Sequence, residues 1–182
     1  MRWFDDLAFV VTFRQTDPLY AIDLADPAAP RVLGRLKIPG FSEYLHPIGD
    51  DLLLGLGTDA DESGRTRGGQ AAVFDVSDLT SPKRVATHGY GVRQQTRAGQ
   101  DPRQFTWLAD RRTALTVVEQ WGTSGGSSAI VSILEVREDG GLTARQVHGA
   151  YGYDDVATLR TVPLPDGRVV LSSADRTEFL DL

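Results

Sequence analysis

The sequence predicts an all-β chain made of small antiparallel sheets arranged as repeats. Two observations carry that reading. Short runs rich in Val, Leu, Ile and Phe recur between clusters of Gly, Pro, Asp and Ser, and no stretch longer than about ten residues holds a 3.6-residue period. A sequence pattern also returns at a fixed offset. Tyr20-Ala21-Ile22-Asp23-Leu24-Ala25-Asp26 is followed by Pro30 and Arg31, and Ala72-Val73-Phe74-Asp75-Val76-Ser77-Asp78 by Pro82 and Lys83, 52 residues on at every matched position.

The runs place strands at 7–13, 18–24, 31–37, 42–48, 51–57, 70–76, 83–89, 103–108, 113–119, 128–136, 142–148, 156–163, 168–174 and 177–182. The repeated pattern reads as a strand, a tight polar turn and the next antiparallel strand. Asp26 and Asp78 accept hydrogen bonds from turn N–H groups, and Pro30 and Pro82 fix φ where the following strand starts. A weaker third copy is Ala129 to Val136, turned by Asp139-Gly140-Gly141. His88-Gly89-Tyr90-Gly91 is echoed by His148-Gly149-Ala150-Tyr151-Gly152, each closing a fourth strand.

Units of roughly 50–60 residues with four strands each are blades of a β-propeller. Lettered a to d from the axis outward, the chain gives strands b–d of a first blade (7–37), a second blade (42–89), a third (103–148) and strands a–c of a fourth (156–182). The fold class is therefore a partial β-propeller of about three and a half four-stranded antiparallel blades. Closed propellers have about four to eight blades, so missing blades or a second copy are expected to complete the ring. Truncation is the simpler of the two.

Composition limits the function. The chain has 182 residues, 41% hydrophobic and 24% charged, which is ordinary for a globular domain. The net charge of −6 argues against a nucleic-acid partner. No apolar run approaches the roughly 20 residues that span a bilayer. The absence of cysteine excludes disulfides, thiol catalysis and cysteine-ligated zinc. Asp5 and Asp6 interrupt the first apolar run, so these residues do not form a signal peptide.

Phe9 to Asp26 reads FVVTFRQTDPLYAIDLAD, residues 34–57 read GRLKIPGFSEYLHPIGDDLLLGLG, and TDADESGRTRGGQAAVFDVSD follows. These segments resemble the secreted β-propeller domain proteins of actinobacteria and archaea, distant relatives of WD-repeat propellers. The close match covers residues 7–85. The resemblance implies an extracellular or cell-envelope propeller, further blades before this segment, and no particular reaction. The family tends to carry histidine before the Phe matched by Phe105. Here the segment is Asp101-Pro102-Arg103-Gln104, so no metal or catalytic role of those histidines carries over.

In a propeller the b–c and d–a connections share one face. The long ones expected here, 58–69, 90–102 and 120–127, all project from it, and long loops in compact domains are more often functional than the strands that carry them. This face is the expected partner-binding surface, for a protein or a glycan, through Arg14, Gln15, Asp17, Arg93, Arg97, Asp101, Trp121, Tyr151 and Tyr153. Asp59-Ala60-Asp61-Glu62-Ser63-Gly64 opens like a D-x-D-x-S-G calcium loop, which makes Asp59, Asp61 and Ser63 candidate ligands for calcium, the one cofactor considered. Position twelve is Gln70 rather than a bidentate Glu, and a solvated hairpin tip explains the same residues.

Gly122 to Ser128 lacks the Lys-Ser/Thr of a phosphate loop, and no Gly-x-Ser-x-Gly elbow occurs. His46, His88 and His148 read as strand residues. The expected function is a non-catalytic binding scaffold. Its alternatives are a hydrolase or lyase using acids such as Asp17, Asp59 or Asp101 in the funnel, and a degenerate fragment without function of its own.

Overall fold

A computed structural model of the chain describes residues 1–12, 18–123, 125–149 and 151–182. The described residues form four antiparallel sheets, each a meander whose spatial order follows the chain, apart from one short strand of the third. The first contains β1 (Arg2–Phe4), β2 (Leu7–Val11), β3 (Pro18–Asp23) and β4 (Arg31–Lys37); the second β5 (Phe41–Ile48), β6 (Leu52–Ala60), β7 (Thr66–Asp75) and β8 (Lys83–Gly91). The third contains β9 (Gln94–Thr96), β10 (Phe105–Leu108), β11 (Thr113–Trp121), β12 (Ser127–Val136) and β13 (Leu142–His148); the fourth β14 (Arg160–Pro163), β15 (Val169–Ser172) and β16 (Thr177–Leu180). This is a partial β-propeller.

The repeated turns form as their chemistry dictates. Asp23 and Asp75 accept from the backbone N–H of Ala25 and Ser77 at 2.9 and 3.0 Å, and Asp26 and Asp78 from Ala28 and Thr80 at 3.0 and 2.9 Å. Both aspartates of the pattern are thus turn caps, each acting two residues ahead. Asp139 does the same for Gly141 at 2.8 Å.

Three apolar seams join the sheets. Phe9, Leu19 and Ala21 meet Leu45, Leu53, Ala72 and Phe74 between the first and second. Leu54, Leu56 and Val73 meet Val118, Ile130 and Leu134 between the second and third. Leu115, Val117, Val131 and Ile133 meet Leu159, Val169 and Leu171 between the third and fourth. Successive residues of a strand point to opposite sides. Leu53 therefore enters one seam and Leu54 the next, which is why the middle strands read as nearly unbroken apolar runs. Each fully buried Leu, Ile, Val or Phe contributes about 1.5–3 kcal/mol.

The first sheet contains a strand not read from the sequence. Trp3 pairs with Ala8 and Phe4 with Leu7 across a two-residue turn in which Asp5 takes φ 47°. Three residues are too few to show a period, and the Asp pair that ends the run is what allows the turn, since Asp tolerates the left-handed region. At the other end of the chain the expected strand 156–163 begins only at Arg160. The carbonyl of Asp155 accepts from Thr158 and Leu159 at 3.0 and 2.8 Å, a turn that lowers Val156 and Leu159 into the third seam.

Two of the expected long loops are shortened by strand at both ends. β6 and β7 extend to a hairpin of only 61–65, and β11 and β12 to one of 122–126. The outward faces of the end sheets keep apolar side chains in solvent: Trp3 and Val32 (61% and 60% exposed) on the first, Phe179 (57%) on the fourth.

The seam between the first two sheets depends on a close approach at Gly34 of β4. A Cβ there would lie 2.2 Å from the Leu79 carbonyl oxygen and 2.8 Å from the Thr80 carbonyl carbon, both backbone. Gly34→Ala is expected to destabilise the chain by about 1–3 kcal/mol. Gly152→Ala, where a Cβ meets open space, serves as the control. Urea titration measures both, and equal midpoints would refute the account of this contact.

Candidate functional site

The inner strand of the third sheet comes in two pieces. β9 pairs with the end of β11 (Thr96 opposite Val118) and β10 with its beginning (Phe105 opposite Thr116), on the same edge and in the same direction. Residues 97–104 leave the strand between them and form a strap at the end of the sheets where the b–c and d–a connections emerge. The end of β8, β9 and this strap together replace most of the structureless loop expected at 90–102.

The strap is anchored to three sheets. In the third, Arg97 pairs with Glu119 of β11 at 3.1 Å. Toward the second, Gly99 lies so close to Glu43 of β5 that a Cβ would sit 2.3 Å from the glutamate Cβ. Toward the fourth, Asp101 pairs with Arg160 of β14 at 2.8 Å, and buried Gln104 donates to the Val156 carbonyl at 2.7 Å. Asp101 also accepts from the backbone N–H and the guanidinium of Arg103, at 3.0 and 2.9 Å. The Arg103 hydrogen bond, followed by the charge of Arg160, holds its carboxyl below the ordinary range.

Glu43 differs from the other acids around this mouth. Its hydrogen-bond donor is the Thr58 hydroxyl at 3.4 Å, and that hydroxyl in turn accepts from Gln95 at 2.7 Å. Partial desolvation raises its pKa, against the opposing hydrogen bond from Thr58. Further along the inner strands His46 sits beside Phe105 and Trp107, with ring centroids 4.8 and 5.8 Å away. Burial, followed by the charge of Arg2, lowers its pKa to about 4. Arg2 itself lies over the Tyr44 ring at 5.3 Å. Neither Glu43 nor this aromatic lining was singled out from the sequence. Alternation in 41–48 was the available signal, but only neighbouring sheets reveal what its inner side chains meet.

The residues expected on the partner-binding face separate into groups. Trp121 is 41% and Tyr153 72% exposed, and Arg93 is exposed. The backbone N–H of Trp121 donates to the Arg93 carbonyl at 2.9 Å, which fixes the 92–93 turn, with Val92 77% exposed, against the Trp121 backbone. Arg97 and Asp101 are occupied by the strap's ion pairs. Tyr151 is not a surface residue: it is 3% exposed, its hydroxyl donates to Glu178 of β16, and burial followed by that carboxylate raises its pKa. Tyr90 fills the preceding seam in the same way, bonded to Ser132 at 2.9 Å, so the echo around Tyr90 and Tyr151 marks two seam-closing tyrosines. Arg14, Gln15 and Asp17 lie outside the described residues.

The candidate calcium residues are not brought together as a cage. Asp59 is part of β6, and Asp61 begins the hairpin. Its Oδ1 accepts from the Ser63 N–H and hydroxyl at 2.9 and 2.6 Å and from the Arg65 N–H at 3.0 Å, which pulls its pKa down. Arg67 lies 3.8 Å from Oδ2. Among the described residues no three His, Cys, Asp or Glu side chains converge to hold a metal.

Meander sheets packed face to face around inner strands, with a strapped mouth at the long-connection end, define a propeller-class protein. Comparison with known families agrees: residues 1–160 match the model of the beta propeller domain, and the chain belongs to that family. It is similar to two archaeal proteins described as uncharacterized. One, from Methanocaldococcus jannaschii, is 44% identical over 107 residues, covering 59% of this chain and 16% of the relative. The other, from Archaeoglobus fulgidus, is 49% identical over 83 residues, covering 46% and 12%. The chain thus spans a sixth or less of the length of these relatives.

Two measurements test the site's electrostatics. His46 is proton-poor in the fold, with a pKa of about 4 against an unfolded value near 6.5. Above pH ~6.5 both states are neutral and the group contributes nothing. Between pH ~6.5 and 4 the unfolded state takes up the proton and stability falls, by about 1–3 kcal/mol. His46→Phe is expected to flatten that part of the Tm-against-pH curve; an unchanged slope would refute it. At the 61–65 hairpin, Asp61→Ala is expected to remove hydrogen-exchange protection of the Arg65 amide with or without millimolar calcium. Calcium-dependent protection in the parent chain would instead place an ion there.

Proposed function

We propose that this chain is a non-catalytic binding scaffold that engages a protein or glycan through the long-connection face of its sheets. The observation that carries the reading is the exposed cluster of Trp121, Val92 and Arg93, held by the Trp121–Arg93 backbone hydrogen bond. An indole placed on a fixed backbone offers large contact area at low entropic cost, and aromatic and Arg side chains dominate binding energy at interfaces. Tyr153, with a free phenol edge, extends the same face. The strap's charged groups, Arg97 and Asp101, are engaged in ion pairs, which suits a rigid platform rather than a reaction centre.

A hydrolytic reading has one observation in its favour, the raised pKa of Glu43. Glycoside hydrolysis requires a second carboxylate about 5–10 Å away. Asp101 is held ionised between two guanidiniums, and Asp17 lies outside the described residues. The extracytoplasmic location belongs to the proposal and rests on the resemblance of residues 7–85 to secreted propeller proteins.

Labelled protein applied to an oligosaccharide array and to blotted cell-envelope proteins tests the reading. Trp121→Ala with Tyr153→Ala is expected to weaken any specific capture roughly thirtyfold, the scale of an interface hot spot. Capture unaffected by the double substitution would place the interaction elsewhere.

A further inference from the structure

At the end opposite the long connections, the seam between the first two sheets opens into a groove of about 360 Å³. Phe4 and Leu7 of the first sheet face Leu52 and Leu79 of the second across it, above the buried side chains of Phe9 and Leu53. The four upper side chains are only half-buried, so the groove presents apolar surface to water. Its volume is at the low end of the roughly 300–1,000 Å³ of ligand pockets, room for one or two large side chains.

Carboxylates stand in the groove lining on one side and in the turn between two lining residues on the other. Asp50 and Asp51 line the groove from the β5–β6 turn, and Asp5 and Asp6 form the turn that joins Phe4 to Leu7. All four are exposed, and among the described residues none is in an ion pair. By contrast Asp23, Asp101, Asp139 and Asp166 each hold an arginine. No Lys or Arg lines the groove. An apolar slot with free carboxylates on either side is complementary to a ligand with an apolar centre and cationic flanks.

We infer that this groove docks a peptide segment of a partner protein in which one bulky apolar side chain is flanked on both sides by Lys or Arg. The apolar side chain enters between Phe4, Leu7, Leu52 and Leu79 and removes their exposed faces from water, which supplies the affinity. The flanking cations meet Asp5 and Asp6 on one wall and Asp50 and Asp51 on the other, which sets the peptide's position and speeds encounter. An acidic peptide is repelled by the rim. A basic peptide without the apolar residue leaves the slot empty. The site lies at the opposite end of the sheets from Trp121 and does not depend on the scaffold reading given above.

The test uses the whole chain and a fluorescein-labelled heptapeptide, Gly-Arg-Arg-Trp-Arg-Arg-Gly, read by fluorescence anisotropy. Saturable binding is expected. It should weaken about tenfold when the peptide Trp is replaced by Ala, and vanish when its arginines are replaced by Glu. The double substitution Asp50→Asn, Asp51→Asn, in an exposed turn whose fold circular dichroism checks, is expected to weaken binding about three- to tenfold. Raising salt from about 0.05 to 0.5 M should weaken it further. Trp121→Ala should leave it unchanged, which separates failure of this site from failure of the long-connection face. The inference is overturned by no saturable binding, by equal binding of the Ala or Glu peptide, or by indifference to the Asp50/Asp51 substitutions.

Discussion

Two-sided burial is the constraint on which the rest of this structure depends. An internal sheet of the stack has two apolar faces and no solvent face, so it is stable only between neighbours. β6 and β7 show it directly: Leu53, Ala72 and Phe74 enter one seam while Leu54, Leu56 and Val73 enter the next. Apart from hydroxyls such as those of Tyr90 and Ser132 that bond within a seam, polar groups gather at the ends and edges of the sheets with the turns, ion pairs and exposed aromatics. Trp3 and Val32 at one end of the stack and Phe179 at the other show the same pattern without a covering neighbour.

The strap at 97–104 follows from the same constraint. A d–a connection must cross from the outer edge of one sheet to the inner edge of the next, over the seam between them. Here it pairs first as β9, leaves as the strap, and resumes as β10. During the excursion it contacts Glu43 behind and Arg160 ahead, so one short segment ties three sheets together at the mouth of the inner strands. Arg97, Asp101 and Gln104 are polar because they bond across sheets. Their chemistry is directed inward, which leaves Trp121, Val92, Arg93 and Tyr153 as the outward chemistry of that end.

The two ends of the sheets consequently differ in character. The long-connection end carries exposed aromatics, and the strap's own charges, Arg97 and Asp101, are paired with Glu119, Arg103 and Arg160. At the short-turn end the first seam opens into an apolar slot beside Asp5, Asp6, Asp50 and Asp51, which among the described residues are in no ion pair, whereas Asp23, Asp139 and Asp166 of the other turns each hold an arginine. A chain with net charge −6 concentrates four of its free acids beside apolar surface at the second end.

The sequence by itself determined the all-β class, the repeat, the position of nearly every long strand and the turn chemistry. These depend on interactions of short range. Asp23, Asp26, Asp75, Asp78 and Asp139 cap backbone groups two residues away, and a period of two is visible within five residues. Tertiary structure decided the remainder. β1 and β9 are three residues each and become strands only because β2 and β11 offer free edges. Tyr151 looked like a loop aromatic until Glu178, 27 residues on, met its hydroxyl in a seam. Asp101 and Arg160, 59 residues apart, are partners only once the third and fourth sheets stack, and the groove between Phe4 and Leu52 exists only once the first and second do. Contacts across a seam depend on which sheet faces which, and no local run of residues encodes that.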